Sequence, residues 1–562
     1  MSAPAAHIPA HAAPDGAEPD VPEASVPGLP DERSSWVPMI GLFLAQILMS
    51  YNVAALPVTL GGMVSDFGVP ATDVSTAIVT YGLVVAALVM VGAKIGQRVG
   101  WVAMFRIVVA IFAVSALTMI LAPSVGWVIL AQALAGASAA IIVPSLVALI
   151  AENYRGAQQA TAIGSLGSAR ALAGVTAFLL GGTLATFVGW RPVFAVVLLI
   201  AVVVFALSFR LRSDRGDASI AIDLVGALLI GAGIVALTLG VNNLNRWGLL
   251  RATDDAPLSV LGLSPAPVLI LAGVMCVQGF FVWTRRRTAL GKEPLVSLAV
   301  FGSHRERAAI YAMFIVVALE AALNFTVPLY IQIVQGRTPF DTSLAMLPFN
   351  LTVFITATLV VRFYTRFSPR TIGVFSFVLT TVALAWLALV VTNNWETLPT
   401  ILGLFVFGVG QGALVTLVFN VLVTAAPKEL AGDVGSVRGT TQNLASAVGT
   451  AVAGALLVGI LSANVTAAIA SHVELSPELV AQADIDSRTF VPNDQLAAAL
   501  AGTDATDAQV EAFIQVNEQS RLQALKLGLL ILAGVSAVAI IPASRLPNVK
   551  RHEVPDPNPA KR

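Results

Sequence analysis

Arg170 and Glu320 are the residues best placed to do chemistry in this sequence, because each interrupts a long apolar run. Arg170 lies nine residues into the run 161–187, and Glu320 twelve residues into the run 308–335. At about 1.5 Å per helical residue, both fall near the middle of a bilayer. An ionisable side chain at that depth is costly and marks a functional site by default. A carboxyl group in hydrocarbon favours its protonated form, and a guanidinium beside it restores the charged form. Alternation between those surroundings is a way to bind and release a proton. Glu320 is therefore the expected protonation site, with Arg170 as its switchable partner or as an anchor for an anionic substrate. A permanent charge pair locking two helices is the structural alternative.

Intramembrane amides form a second set. Gln46 and Asn52 lie in the first apolar run, Gln132 in the fourth, Asn324 in the ninth, Asn350 in the tenth, and Gln411 and Asn420 in the twelfth. These are the candidates for lining a substrate cavity. Amides in such positions also serve as hydrogen-bonding glue between helices, so each carries both readings.

The elements that must position these residues follow from composition. Hydrophobic residues make up 57% of the chain and charged residues 11%, whereas soluble domains carry roughly 25% charged. Apolar runs long enough to span a bilayer fall at 36–60, 72–97, 101–121, 125–150, 161–187, 191–211, 221–243, 266–284, 308–335, 343–365, 371–391, 398–424, 435–462 and 523–543. The expected fold is an all-α membrane protein with fourteen transmembrane helices. Its expected divisions are a tail over 1–35, a six-helix bundle over 36–212, two accessory helices within 213–290, a second six-helix bundle over 291–545, and a tail over 546–562.

Basic residues set the orientation. With the amino terminus cytoplasmic, 24 Lys and Arg residues fall in inside segments and seven in outside loops (Arg191, Arg246, Arg251, Arg337, Arg488, Arg521 and Lys526). Both termini are then cytoplasmic. The acidic loop 463–522 lies outside, and within it Thr506-Asp507-Ala508-Gln509 has the form of a capping box, so a helix is expected to start there. Arginine accounts for 26 of the 32 basic residues, a bias that fits a bacterium and hence the cytoplasmic membrane.

Several classes are excluded. The zero net charge gives no footprint for nucleic acid. No G-x-x-x-x-G-K-[ST] segment exists for nucleotide hydrolysis. Five scattered histidines and the single Cys276 offer no metal or nucleophile constellation, so neither an enzyme nor a cofactor is expected. The expected partners are a small-molecule substrate, membrane lipids and coupling protons, with the chain working as a monomer.

The two halves repeat weakly. "GSLGSARALAG" (Gly164 to Gly174) opens near the start of the fifth run, and "GSVRGTTQNLASAVG" (Gly435 to Gly449) opens the thirteenth. Further segments are "AKIGQRVG" (Ala93 to Gly100), "AQALAGASAAIIVPS" (Ala131 to Ser145), "LLGGTLATFVGWRPVF" (Leu179 to Phe194) and "FTVPLYIQIVQGRTPFDTSLAMLP" (Phe325 to Pro348). In that order, and with the helix count, the chain resembles the fourteen-helix drug:proton antiporter branch of the major facilitator superfamily, the EmrB/QacA-like proteins, over about 36–545. The resemblance implies two six-helix bundles plus two accessory helices, and efflux of hydrophobic or amphipathic compounds by multidrug-resistance antiporters. It also exposes departures. The loop-motif Asp of the family is Gln97 here, its fourth-helix Arg is Gln132, its first-helix acid aligns with Leu48, and its fifth-helix Gly-Pro falls on Ala177 and Phe178. The alternative is therefore a specific metabolite or lipid exporter or facilitator with altered or absent proton coupling.

Overall fold

The computed structural model describes residues 35–154, 156–211, 216–253, 256–259, 262–298, 304–363, 366–392, 397–425, 431–471 and 506–548. The expected tails, apart from their ends nearest the bundle, and most of the loop 463–522 lie outside the described residues. Fourteen helices are long and apolar enough to cross a membrane. They are α1 (Val37–Phe67), α2 (Ala71–Val99), α3 (Trp101–Ile120), α4 (Val125–Asn153), α5 (Gly156–Thr176), α6 (Arg191–Ser208), α7 (Leu224–Asn242), α8 (Pro265–Ala289), α9 (His304–Leu329), α10 (Pro339–Phe363), α11 (Pro369–Val390), α12 (Leu398–Ala425), α13 (Ala431–Ser471) and α14 (Asp507–Val538). Helices satisfy their own backbone polar groups, which hydrocarbon cannot do for them.

Successive helices alternate in direction. One end of the bundle, here the basic end, gathers Arg98, Arg210, Arg285, Arg286, Arg287 and Arg370 at helix termini. At the opposite, far end, two arginines are neutralised: Arg191 pairs with Asp66 at 2.6 Å and Arg246 with Asp73 at 3.3 Å. Arg521, expected in a far-side loop, instead lies inside α14 and is fully buried. Helix α14 begins at the expected capping box, with Thr506 and Gln509 exchanging side-chain and backbone hydrogen bonds.

Three helices differ from the expected runs in ways that matter for the site. The first apolar run is expected over 36–60, yet α1 continues to Phe67 and stops at Gly68, whose φ of 63° is left-handed. Helix α5 passes into a π-turn at Ala177–Gly181 before finishing at Phe187. Helix α9 ends in a second π-turn at Tyr330–Val334. Such turns widen a helix by one residue and re-aim its side chains.

The halves repeat in their packing as well as in sequence. In the first, a Cβ on Gly92 of α2 would stand 2.7 Å from the Ala140 carbonyl of α4, and one on Gly136 of α4 would stand 2.8 Å from the Tyr81 carbonyl of α2. In the second, Gly408 and Gly412 of α12 meet the Phe349 and Val353 carbonyls of α10 at 2.7 and 2.5 Å by the same measure. Small residues let backbones approach where no water drives helices together. The accessory helices α7 and α8 also cross on glycines, Gly233 against Gly273 and Gly240 against the Ala266 carbonyl. Asp223 ties them further, capping α7 through the Gly226 N–H and accepting from the Trp283 indole at 3.0 Å, with Arg287 3.6 Å away. Val241 at the end of α7 packs on Val79 of α2 and on Ala447 and Ala451 of α13, so this helix touches both halves.

Candidate functional site

Helices α5 and α9 both run from the basic end toward the far end. Counted from Gly156 and His304, Arg170 stands fourteen residues along the one and Glu320 sixteen along the other. That similar depth brings them together: Arg170 Nη2 lies 3.5 Å from Glu320 Oε1, with the side chains 33% and 20% exposed. The contact is long for a charge-assisted hydrogen bond, which ordinarily measures about 2.7–2.9 Å. Glu320 Oε2 is buried and accepts no hydrogen bond among the described residues. One helical turn further along α9, the Asn324 side-chain oxygen is buried and unpartnered in the same way.

Asn350 of α10 closes this group from the side. Its amide donates to the Met346 carbonyl at 3.0 Å, and its oxygen lies 3.8 Å from where a Cβ on Gly174 would stand, one turn beyond Arg170 on α5. On the other side of Arg170, a Cβ at Gly167 would meet nothing within 4 Å. The face of α5 that carries Arg170 is thus open toward the basic end and covered toward the far end.

The remaining amide candidates lie in different surroundings. Gln46 donates to Ser50 at 2.9 Å along α1. Asn52 donates to the Gln132 oxygen at 2.9 Å, joining α1 to α4, and both residues are buried. Each of these two satisfies the other, which is the gluing arrangement. Gln411 of α12 is fully buried, with neither amide atom bonded to another group among the described residues. The side chain of Asn420 lies outside the described residues.

Other residues of the described helices, Tyr330 and Gln332 of the family-like segment among them, stand in surroundings that the sequence did not give. Arg438, counted with the inside basic residues, lies within α13 and within electrostatic range of Arg170. Arg521 lies within electrostatic range of Tyr330, which sits in the α9 π-turn, and of Glu518. Gln332, in the same π-turn, reaches α1: it accepts from the Gly61 N–H at 2.7 Å and donates to the Pro57 carbonyl at 3.1 Å. The Phe340 N–H donates to Thr186 Oγ1 at 3.0 Å, again joining the halves at the far end. The only sequence signal for these was a polar residue close to an apolar run.

At the basic end, the turn between α2 and α3 carries Gln97 in place of an acid. Its carbonyl accepts from the Asp217 N–H at 3.0 Å, so the segment leading into α7 lies against this turn. Two hydrogen bonds from Ser219 hold the Asp217 carboxyl below the usual carboxylate range.

Comparison with known proteins gives a consistent pattern. Residues 42–450 match the family described as Major Facilitator Superfamily. A lincomycin resistance protein of Streptomyces lincolnensis is 28% identical over 337 residues, which cover 58% of this chain and 65% of that protein, a little under two thirds of its length. The multidrug efflux pump LfrA of Mycolicibacterium smegmatis is 26% identical over 434 residues, covering 77% of this chain and 82% of that one. Among solved structures, a bacterial homologue of the human lysosomal transporter Spinster, in an inward-facing and occupied conformation, superposes with a TM-score of 0.55 at 15% identity, covering 89% of this chain and 96% of that chain. At that identity the likeness is one of fold.

Proposed function

The chain belongs to the major facilitator superfamily, and from that premise we propose that it exports small hydrophobic or amphipathic compounds in exchange for protons, by alternating access between its two six-helix halves. The observation that carries this reading is the Arg170–Glu320 pair, which joins the two halves through a 3.5 Å contact with one carboxylate oxygen left unsatisfied. A carboxylate beside a guanidinium keeps its charge, and one withdrawn from it inside a membrane takes a proton. Rocking of the halves changes that separation and so couples proton occupancy to conformation. With the far end closed and the pair formed, the arrangement corresponds to a carrier that has given up its proton on the basic side. Resistance and efflux proteins among the relatives favour export.

We read both termini as cytoplasmic and the membrane as the bacterial cytoplasmic membrane. The gathering of Arg98, Arg210, Arg285, Arg286, Arg287 and Arg370 at the basic end supports this, since basic residues favour the cytoplasmic side. A second reading is export or facilitated diffusion of a specific metabolite or lipid without proton coupling. The neutral Asn52–Gln132 pair, standing where the family holds a fourth-helix Arg, favours it. Extrusion of a lipophilic dye from cells separates the two: collapse by a protonophore is expected for the exchanger, and indifference to it supports the uncoupled carrier.

A further inference from the structure

We infer that Gln332 is a positioning residue that latches the far end of the transport path shut, by inserting its amide into one hydrogen-bonding rung of α1. The Pro57 carbonyl and the Gly61 N–H stand in the i to i+4 relation of an α-helical rung. Gln332 Nε2 donates to that carbonyl at 3.1 Å, and the N–H donates to Gln332 Oε1 at 2.7 Å. A primary amide is the side-chain group that can answer both halves of a rung at once, being donor and acceptor together. Gln332 is 6% exposed, so little water competes for these bonds.

The local sequence of each partner fits this role. Gly61 presents no side chain, and a Cβ there would stand 2.8 Å from Gln332 Oε1. On the other side, Gln332 occupies the middle of the π-turn Tyr330–Val334 that ends α9. The bonds are exchangeable. When the halves part, the Pro57 carbonyl and Gly61 N–H are left facing each other as an ordinary rung, and the freed amide meets water. The closed state therefore gains only the modest net worth of two ordinary hydrogen bonds over the open one, which is what a reversible latch requires. This inference rests on alternating access as proposed above, but on neither the substrate nor the proton.

The test therefore reads accessibility alone. With Cys276→Ser as background, two reporters are introduced separately. Ser343→Cys lies at the far end, fully buried opposite Gly182. Gly167→Cys lies on the Arg170 face of α5, open toward the basic end. In lipid nanodiscs, Gln332→Leu is expected to raise maleimide labelling of the far-end reporter roughly tenfold, a factor in keeping with the loss of two ordinary hydrogen bonds, and to lower labelling of the basic-end reporter. Gly61→Ala leaves Gln332 in place but displaces its oxygen, and should move both reporters in the same directions. Unchanged labelling, or a rise at both reporters together as a loosened bundle would give, overturns the latch. Because dye and pH gradient are absent, failure here leaves the Glu320 reading standing, and failure of Glu320 leaves the latch standing.

Discussion

Two Arg–carboxylate pairs in this protein have the same chemistry and opposite construction. Asp66 at the far end accepts from Arg191 at 2.6 Å and from the Trp190 indole at 3.1 Å, while Arg191 also donates to the Ala122 carbonyl and stacks over Trp190. Those contacts tie α1, α6 and the α3–α4 turn within one half. Glu320 and Arg170 share one 3.5 Å contact between halves, and Glu320 Oε2 has no partner among the described residues. A saturated pair within a rigid unit is a staple. An unsaturated pair between the halves suits the switching proposed for it, since parting it forfeits few bonds and protonation neutralises the charge left behind.

The contrast can be broken by substitution. Glu320→Gln keeps size and polarity but removes the proton site, so pH-driven dye transport in proteoliposomes should fall to the level of empty vesicles while dye exchange without a gradient persists. Arg170→Ala should reduce gradient-driven transport less completely, because Arg438 lies within electrostatic range of that site. Replacing one member of the buried amide pair, as in Gln132→Leu, leaves Asn52 without its partner and should cost about 1–2 kcal/mol of stability, read as a lowered Tm. The double substitution of Gln132 and Asn52 by leucine should recover part of that loss. Smallest of all, Asp66→Asn acts on a pair whose two members are about two-fifths exposed. Its effect should stay within about 1 kcal/mol, with transport close to normal.

Much of this was legible in the sequence because the bilayer imposes one dominant rule. Fourteen apolar runs, the capping box at Thr506 and the two mid-membrane charges follow from length, spacing and polarity alone. What escaped was direction. Hydropathy records that Asn52 and Gln132 are buried, but not that they face each other. Arg438 and Arg521 lie near the ends of apolar runs, where a long basic side chain ordinarily snorkels to the interface and reads as a topology signal. Their inward positions are set by packing. Gln332 was visible as a polar residue near a helix end, yet its target is a backbone rung 271 residues away, and a backbone group leaves no mark on side-chain pattern. The two π-turns likewise leave no mark on hydropathy, although Pro328 precedes one and Gly181 and Gly182 close the other.

The most direct test is a count of protons released on ligand binding. Purified protein in weakly buffered detergent solution, at a pH where the carrier starts protonated, is mixed with a lipophilic dye while an indicator records pH. The account predicts release of a proton by the unmodified protein and none by Glu320→Gln, with the dye bound by both. Equal proton release by the two proteins would contradict it.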